Sequence, residues 1–184
     1  DTGRQRYYGA RRELMLIRTE IGIDAPGIDR LLKNCFPSEQ EAKRVRELRE
    51  QGLLTLGVVA TDDEGQVLGY AAFSPVTSDG EDSGWVALYP LAVSRELPQQ
   101  ALDEQLVCEA LDTLNEFGYS AVIAENNVDY NVDCLTSVGF TASQGLSYQC
   151  PTGHLPQTLL VYPLANGPTD TISGELQFSA PFYG

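Results

Sequence analysis

An α/β fold with a mixed sheet and helices on both faces is predicted for this chain by the order of its apolar runs. A strand and two helical segments precede two β-rich runs joined by a short reversal, and a third β-rich run follows; together these predict an antiparallel meander. The third run, WVALYPLAV, leads into a helical stripe and then YSAVIAE, the pattern of a parallel β-α-β unit. Pro90 inside the third run removes one ladder donor, so the two parallel strands are expected to splay and leave a cleft at the helix start.

Residues 1–12, DTGRQRYYGARR, mix Arg, Tyr and Gly without an apolar period and read as a basic arm or tail. Residues 13–184 read as a single domain with a C-terminal extension from about residue 145. ELMLIRTE is a strand. Pro26 near a helix start, with Ile28, Leu31, Leu32 and Phe36 at helical spacing, predicts a helix ended by Pro37. Ser38 and Glu41 form a capping-box pattern opening a second helix, EQEAKRVRELREQ, closed by Gly52. LTLGVVAT and QVLGYAAFSPV, joined by TDDEG, predict a hairpin, and TSDGEDSG reads as a polar, acidic loop before the third strand.

Pro98 suits the first turn of a helix reaching about Phe117, with Leu102, Leu106, Ala110, Leu111 and Leu114 as its buried stripe and Gly118 as its end. NNVDYNVDCLTSVGF predicts a short helix and a turn into another strand, and TLLVYPL a further strand.

Charge is distributed unevenly. Eleven of the 12 Lys and Arg residues lie in residues 1–50, which are near +2 in net charge, whereas the remaining 134 residues hold only Arg95 against 17 acids, about −16. That field disfavours nucleic acid and anionic membranes and favours a cationic small molecule or an amine-bearing substrate. Opposite charge in different segments also suits pairing of two copies, a homo-oligomer. Cys35, Cys108, Cys134 and Cys150 form no C-x-x-C pair and no cluster with the single histidine, so neither a metal site nor a redox motif is indicated. No apolar run approaches the roughly 20 residues of a membrane span. Nor does a charged, apolar, small-residue signal open the chain, and the expectation is a cytoplasmic protein.

The ordered motifs Phe73-Ser74-Pro75-Val76, Pro90-Leu91-Ala92-Val93, Gly139-Phe140 and Cys150-Pro151 resemble the GNAT superfamily of acyl-CoA-dependent N-acetyltransferases, in particular its YhbS-like branch. The likeness covers about residues 14–184. It implies a GNAT-like sheet and acetyl-CoA as cofactor, with backbone groups of Leu91, Ala92 and Val93 along the pantetheine arm. The family's pyrophosphate loop, R/Q-x-x-G-x-G/A, falls on Pro98, Gln99, Gln100, Ala101, Leu102 and Asp103, followed by Glu104. Its glycines let backbone N–H groups approach the phosphates. Here they are gone, and a carboxylate about 4 Å from a phosphate charge is repelled by roughly 1 kcal/mol in water and about 4 kcal/mol at an effective surface dielectric. The same acids stabilise the helix start through its dipole.

Many family members place a proton-donating Tyr four residues before the Gly of Gly-Phe; that position is Leu135, and the adjacent Cys134 reads as core. Acyl transfer to an amine needs a deprotonated amine, its positioning and a donor to the oxyanion. Glu125, at the end of YSAVIAE, is the candidate base or amine-binding residue, and Tyr130 the candidate substitute for the missing hydroxyl. Tyr89 lies beside Pro90; Asn126 and Asn127 bind substrate or make the turn; His154, in a Pro- and Gly-rich loop, reads as incidental. The function expected is acetyl transfer to an amine, weakened or lost through the altered loop. The alternatives are an inactive module of the same fold that binds or regulates, and an oligomeric scaffold.

Overall fold

The computed structural model of the chain describes residues 4–8, 13–97, 101–127, 132–167 and 173–184. Strand β1 (Arg4–Tyr8) lies within the segment read as an arm and pairs antiparallel with β2 (Glu13–Thr19), as the outermost strand of the sheet. No apolar alternation announces it, because backbone pairing to an existing edge needs none.

Helix α1 (Ala25–Cys35) starts on the Ala-Pro step and ends where Phe36, preceding Pro37, is extended. The proline ring disfavours helical geometry in the residue before it. Helix α2 (Gln40–Glu50) follows, but without the expected capping box. Ser38 Oγ accepts from the backbone of Gln40, two residues on, and Glu41 is buried at 7 % exposure. The Glu41 carboxylate is drawn inward by Tyr89, which is why it does not return to cap its own helix.

Strands β3 (Leu56–Thr61), β4 (Val67–Ser78) and β5 (Glu81–Val93) form the meander. The segment TSDGEDSG is not a loop but a tight hairpin: β4 runs to Ser78, β5 starts at Glu81, and only Asp79 and Gly80 turn. Both have positive φ, 50° and 79°, the geometry of a two-residue turn that matches strand twist and suits Asp-Gly.

Helix α3 (Leu102–Glu116) crosses to β6 (Ala121–Glu125), which is parallel to β5 in the register Trp85↔Ala121 to Ala87↔Ile123. Helix α4 (Val132–Val138), β7 (Thr141–Ser143), β8 (Leu146–Tyr148), β9 (Leu159–Pro163) and β10 (Gly174–Gln177) complete the described chain. The sheet order is β1-β2-β3-β4-β5-β6-β9-β7, with β10 joining β4 to β8. A final turn of 3-10 helix, Ala180–Tyr183, closes the described structure.

Strands β3 and β4 are buried on both faces, so their side chains alternate between separate cores. Val58 and Ala60 pack with the Leu102, Leu106, Ala110, Leu111 and Leu114 stripe of α3, while Val59, Tyr70 and Ala72 pack under α1 and α2 with Ile28, Leu32 and Val45. A third core joins Trp85 and Ile123 to Phe178 and Phe182 of the C-terminal extension. Burying each such aliphatic or aromatic side chain is worth about 1.5–3 kcal/mol. Among the described residues no helix is long and apolar enough to cross a membrane, and no group of three or more His, Cys, Asp or Glu is placed to hold a metal ion.

Candidate active site

The site originates in a bulge. Opposite the single residue Ala72 of β4, strand β5 inserts Tyr89 and Pro90: the register passes from Ala71↔Leu91 to Phe73↔Leu88. The extra residue bends β5, and its parallel pairing with β6 stops at Ala87↔Ile123 although both strands continue. The strands therefore diverge as the proline predicts.

Two cavities occupy the divergence. A narrow one of ≈ 30 Å³ lies between Leu88, Leu91, Ala124 and Leu135. A wider one of ≈ 280 Å³ is formed by Glu41, Gln40, His154, Leu155 and Gln157. Tyr89, Glu125 and Asn127 border both. Glu125 thus stands at the junction of an apolar slot and a polar pocket.

Its carboxylate is held from two sides. Tyr148 donates its hydroxyl to Oε2 at 2.6 Å, and His154 Nδ1 lies 2.7 Å from Oε1. Only 7 % of the Glu125 side chain and 12 % of the His154 side chain are exposed. Burial, followed by the bond to Glu125, pushes the Tyr148 phenol far above its ordinary range, so it stays protonated and remains a donor. Its oxygen in turn accepts from the backbone of Gln157 at 3.0 Å.

Behind the imidazole is Arg44, 1 % exposed. Nη1 lies 3.3 Å from His154 Nε2; Nη2 donates to the carbonyls of Thr152 (2.6 Å) and Phe182 (3.0 Å). The guanidinium also sits over the Phe182 ring, 5.6 Å from its centre. Burial lowers its pKa from the ordinary value, countered by Tyr89, Glu41, Glu125 and Glu47. The Tyr89 and His154 rings pack edge to face with centres 5.0 Å apart, and the Tyr89 hydroxyl donates to Glu41 Oε2 at 2.8 Å.

Glu125 is thus placed in the cleft as its position at the end of β6 predicts. Leu91, Ala92 and Val93 follow the bulge, where β5 has left β6; Val93 O accepts the Cys35 thiol at 3.4 Å. Gln99, Gln100 and Tyr130 lie outside the described residues. Ala101 is the exposed residue before α3, and Leu102, at 0 % exposure, points into the core and has only its backbone to offer a ligand. Asp103 accepts from the backbone of Glu104 at 2.8 Å. Burial, then the charges of Asp103 and Glu104, drive the Cys134 thiol far above its ordinary range, so Cys134 is no nucleophile.

One expectation is reversed: His154 is not incidental but bonded to Glu125. Arg44, Glu41 and Tyr148 are further site residues missed in the sequence. A signal existed for two of them. Glu41 and Arg44 fall on the same helical stripe as Val45 and Leu48, so charges occupy core positions of an amphipathic helix. Tyr148 and His154 lie on segments whose approach to β6 is set by folding alone.

No family model matches the chain. It is 64% identical over 109 residues to an uncharacterized N-acetyltransferase, YhbS, of Escherichia coli strain K12; that match takes in 59% of this chain and 65% of the relative, so less than two thirds of its length is spanned. A crystal structure of the GNAT family N-acetyltransferase YhbS from Escherichia coli in complex with CoA superimposes with a TM-score of 0.83 at 45% identity, over 92% of each chain. A GNAT family acetyltransferase from Brucella melitensis in complex with acetyl-CoA gives a TM-score of 0.74 at 26% identity, over 91% of this chain and 97% of that one. A meander, a bulged β5 parting from β6 and likeness to YhbS across nearly the whole of both structures lead to one assignment: the chain belongs to the GNAT family of N-acetyltransferases.

Proposed function

We propose that the protein transfers an acetyl group from acetyl-CoA to the amine of a cationic small molecule. The observation that carries this reading is Glu125, buried and doubly hydrogen-bonded at the junction of the two cavities. Structures of relatives hold CoA and acetyl-CoA, which supports the same cofactor here.

The residues fit its thioester arm. The backbone of Leu91, Ala92 and Val93 lies where β5 has parted from β6, and the slot between Leu88, Ala124 and Leu135 is apolar and narrow. Acetyl-CoA supplies an activated acyl carbon and a thiolate leaving group. The pocket beside Glu41 and Glu125 attracts the cationic substrate, whose reacting amine enters in its neutral form. Glu125 takes the one proton that nitrogen loses as it bonds to the acyl carbon and the carbon–sulfur bond breaks, the thiolate leaving with CoA. Leu135 cannot return a proton to the thiolate; Tyr130 is the candidate for that step.

The helix start is less favourable. Asp103 and Glu104 occupy the first turn of α3, where the dipole would otherwise attract a diphosphate, and the reading includes weakened cofactor affinity. This feature favours a second reading, a module that binds cationic ligands without catalysis. Calorimetric titration with acetyl-CoA, then mass-spectrometric assay against a panel of primary amines, separates the two. Saturation at micromolar concentration with an acetylated amine supports the transferase, and no binding at millimolar concentration rejects it.

A further inference from the structure

We propose that Arg44 is a positioning residue that fixes His154 as its Nδ1–H tautomer, so that the imidazole serves as a donor to Glu125 and leaves the carboxylate as the proton acceptor of the site. The role of Glu125 rests on the acetyl-transfer reading; the tautomer does not.

The argument is one of donors and acceptors. A guanidinium has five N–H groups and no lone pair to offer. At 3.3 Å from His154 Nε2, Arg44 Nη1 is the donor and Nε2 the acceptor. The ring proton then belongs on Nδ1, 2.7 Å from Glu125 Oε1. The opposite tautomer turns both contacts against themselves, N–H facing N–H at Arg44 and lone pair facing carboxylate at Glu125. A doubly protonated ring keeps the Arg44 conflict.

Arg44 has no room to relent. Its second nitrogen spans the Thr152 and Phe182 carbonyls, themselves joined by Thr152 N–H donating to Phe182 O at 2.9 Å, and its face rests over the Phe182 ring. The C-terminal turn and the segment carrying His154 therefore set the orientation of the guanidinium, which sets the tautomer. The charged and titratable groups around the ring are Arg44 on one side and Glu125 on the other, with Tyr89 packed against it at 70° and Glu41 beyond Tyr89. A planar fork bonding two carbonyls and a ring nitrogen is a task lysine cannot copy.

The chain has a single histidine, so nitrogen NMR of the ¹⁵N-labelled protein reports this ring alone. At pH 7 the expected spectrum shows a protonated Nδ1 and an unprotonated Nε2. An Nε2–H tautomer or a doubly protonated ring in the wild-type protein overturns the proposal. Arg44→Met leaves Glu125 holding the Nδ1 proton and frees Nε2, so partial protonation at Nε2 is expected, and an Nε2 as fully unprotonated as in the wild type in a folded variant also overturns it. The wild-type spectrum decides even where Arg44→Met does not fold. With an acetylated amine in hand, Arg44→Lys is expected to lower kcat by roughly 10²-fold with little change in the KM for the amine. Loss of acetyl transfer from the wild type, with the tautomer as described, would remove the reaction and leave the positioning intact.

Discussion

The Tyr89 hydroxyl donates to Glu41 Oε2 at 2.8 Å, tying the residue that bulges β5 to the first turn of α2 across the wider cavity. The bulge that opens the cleft thus also fixes one of its acidic walls. Two further walls, Glu125 and His154, are braced independently by Tyr148 and Arg44.

Glu125→Gln removes the proton acceptor while keeping the shape, and kcat for amine acetylation is expected to fall by roughly 10²- to 10⁴-fold. Acetyl-CoA affinity, measured by calorimetry, is expected to stay within about twofold of wild type. Tyr148→Phe deletes one of the two donors to Glu125 and is expected to lose less. Equal loss of cofactor binding in Glu125→Gln would place the residue in the cofactor site instead.

Asp103→Asn keeps an acceptor for Glu104 N–H but removes a charge beside the expected diphosphate. A repulsion of about 1.4 kcal/mol corresponds to tenfold, so acetyl-CoA is expected to bind roughly tenfold more tightly at low salt, the gain shrinking as salt screens the charge. Unchanged or weaker binding would show that the diphosphate avoids this turn.

Gly57 stands against the carboxylate of Glu20, which also takes the hydroxyl of the fully buried Tyr70 and the guanidinium of Arg49. A Cβ at this position would collide with that carboxylate and lie 2.8 Å from Tyr70 Oη. Gly57→Ala is therefore expected to cost about 1–3 kcal/mol in urea unfolding, by overpacking. A loss below about 0.5 kcal/mol would mean that Glu20 swings aside freely.

Asp24 accepts from both terminal nitrogens of Arg18, Nη1 at 2.7 Å and Nη2 at 2.9 Å, and from the Ile21 N–H at 2.8 Å. Its carboxyl is held below the ordinary value of 3.8 by the Arg18 bond first, against burial, with the Ile21 bond assisting. A lowered folded-state pKa contributes stability above the ordinary value and loses it as pH falls through the folded one. Asp24→Asn is accordingly expected to cost about 1.5–3 kcal/mol at pH 7, with the gap to wild type closing as acid protonates the wild-type carboxyl. Urea midpoints measured from pH 7 down to the acid limit of folding test this, and a gap independent of pH contradicts it.

The sequence by itself determined the meander of β3, β4 and β5, the parallel step through α3 to β6, the stripe of α3 and the parting of β5 from β6, because alternation, helical spacing and a proline's missing N–H act over a few neighbouring residues. The edge strand β1 and the places of β9 and β10 were set by the fold. The sequence also placed Glu125 at the strand end facing the cleft. Local chemistry misled at Ser38, whose partner Glu41 was recruited by Tyr89 across the fold, and at Asp79-Gly80, where a run of acids concealed a two-residue turn. Only the tertiary structure brought His154, Tyr148 and Arg44 to Glu125. Their partners are 29, 23 and 110 residues apart in the chain. Contacts at such separations are fixed by how the C-terminal extension packs on the sheet, and no periodicity in the chain encodes them.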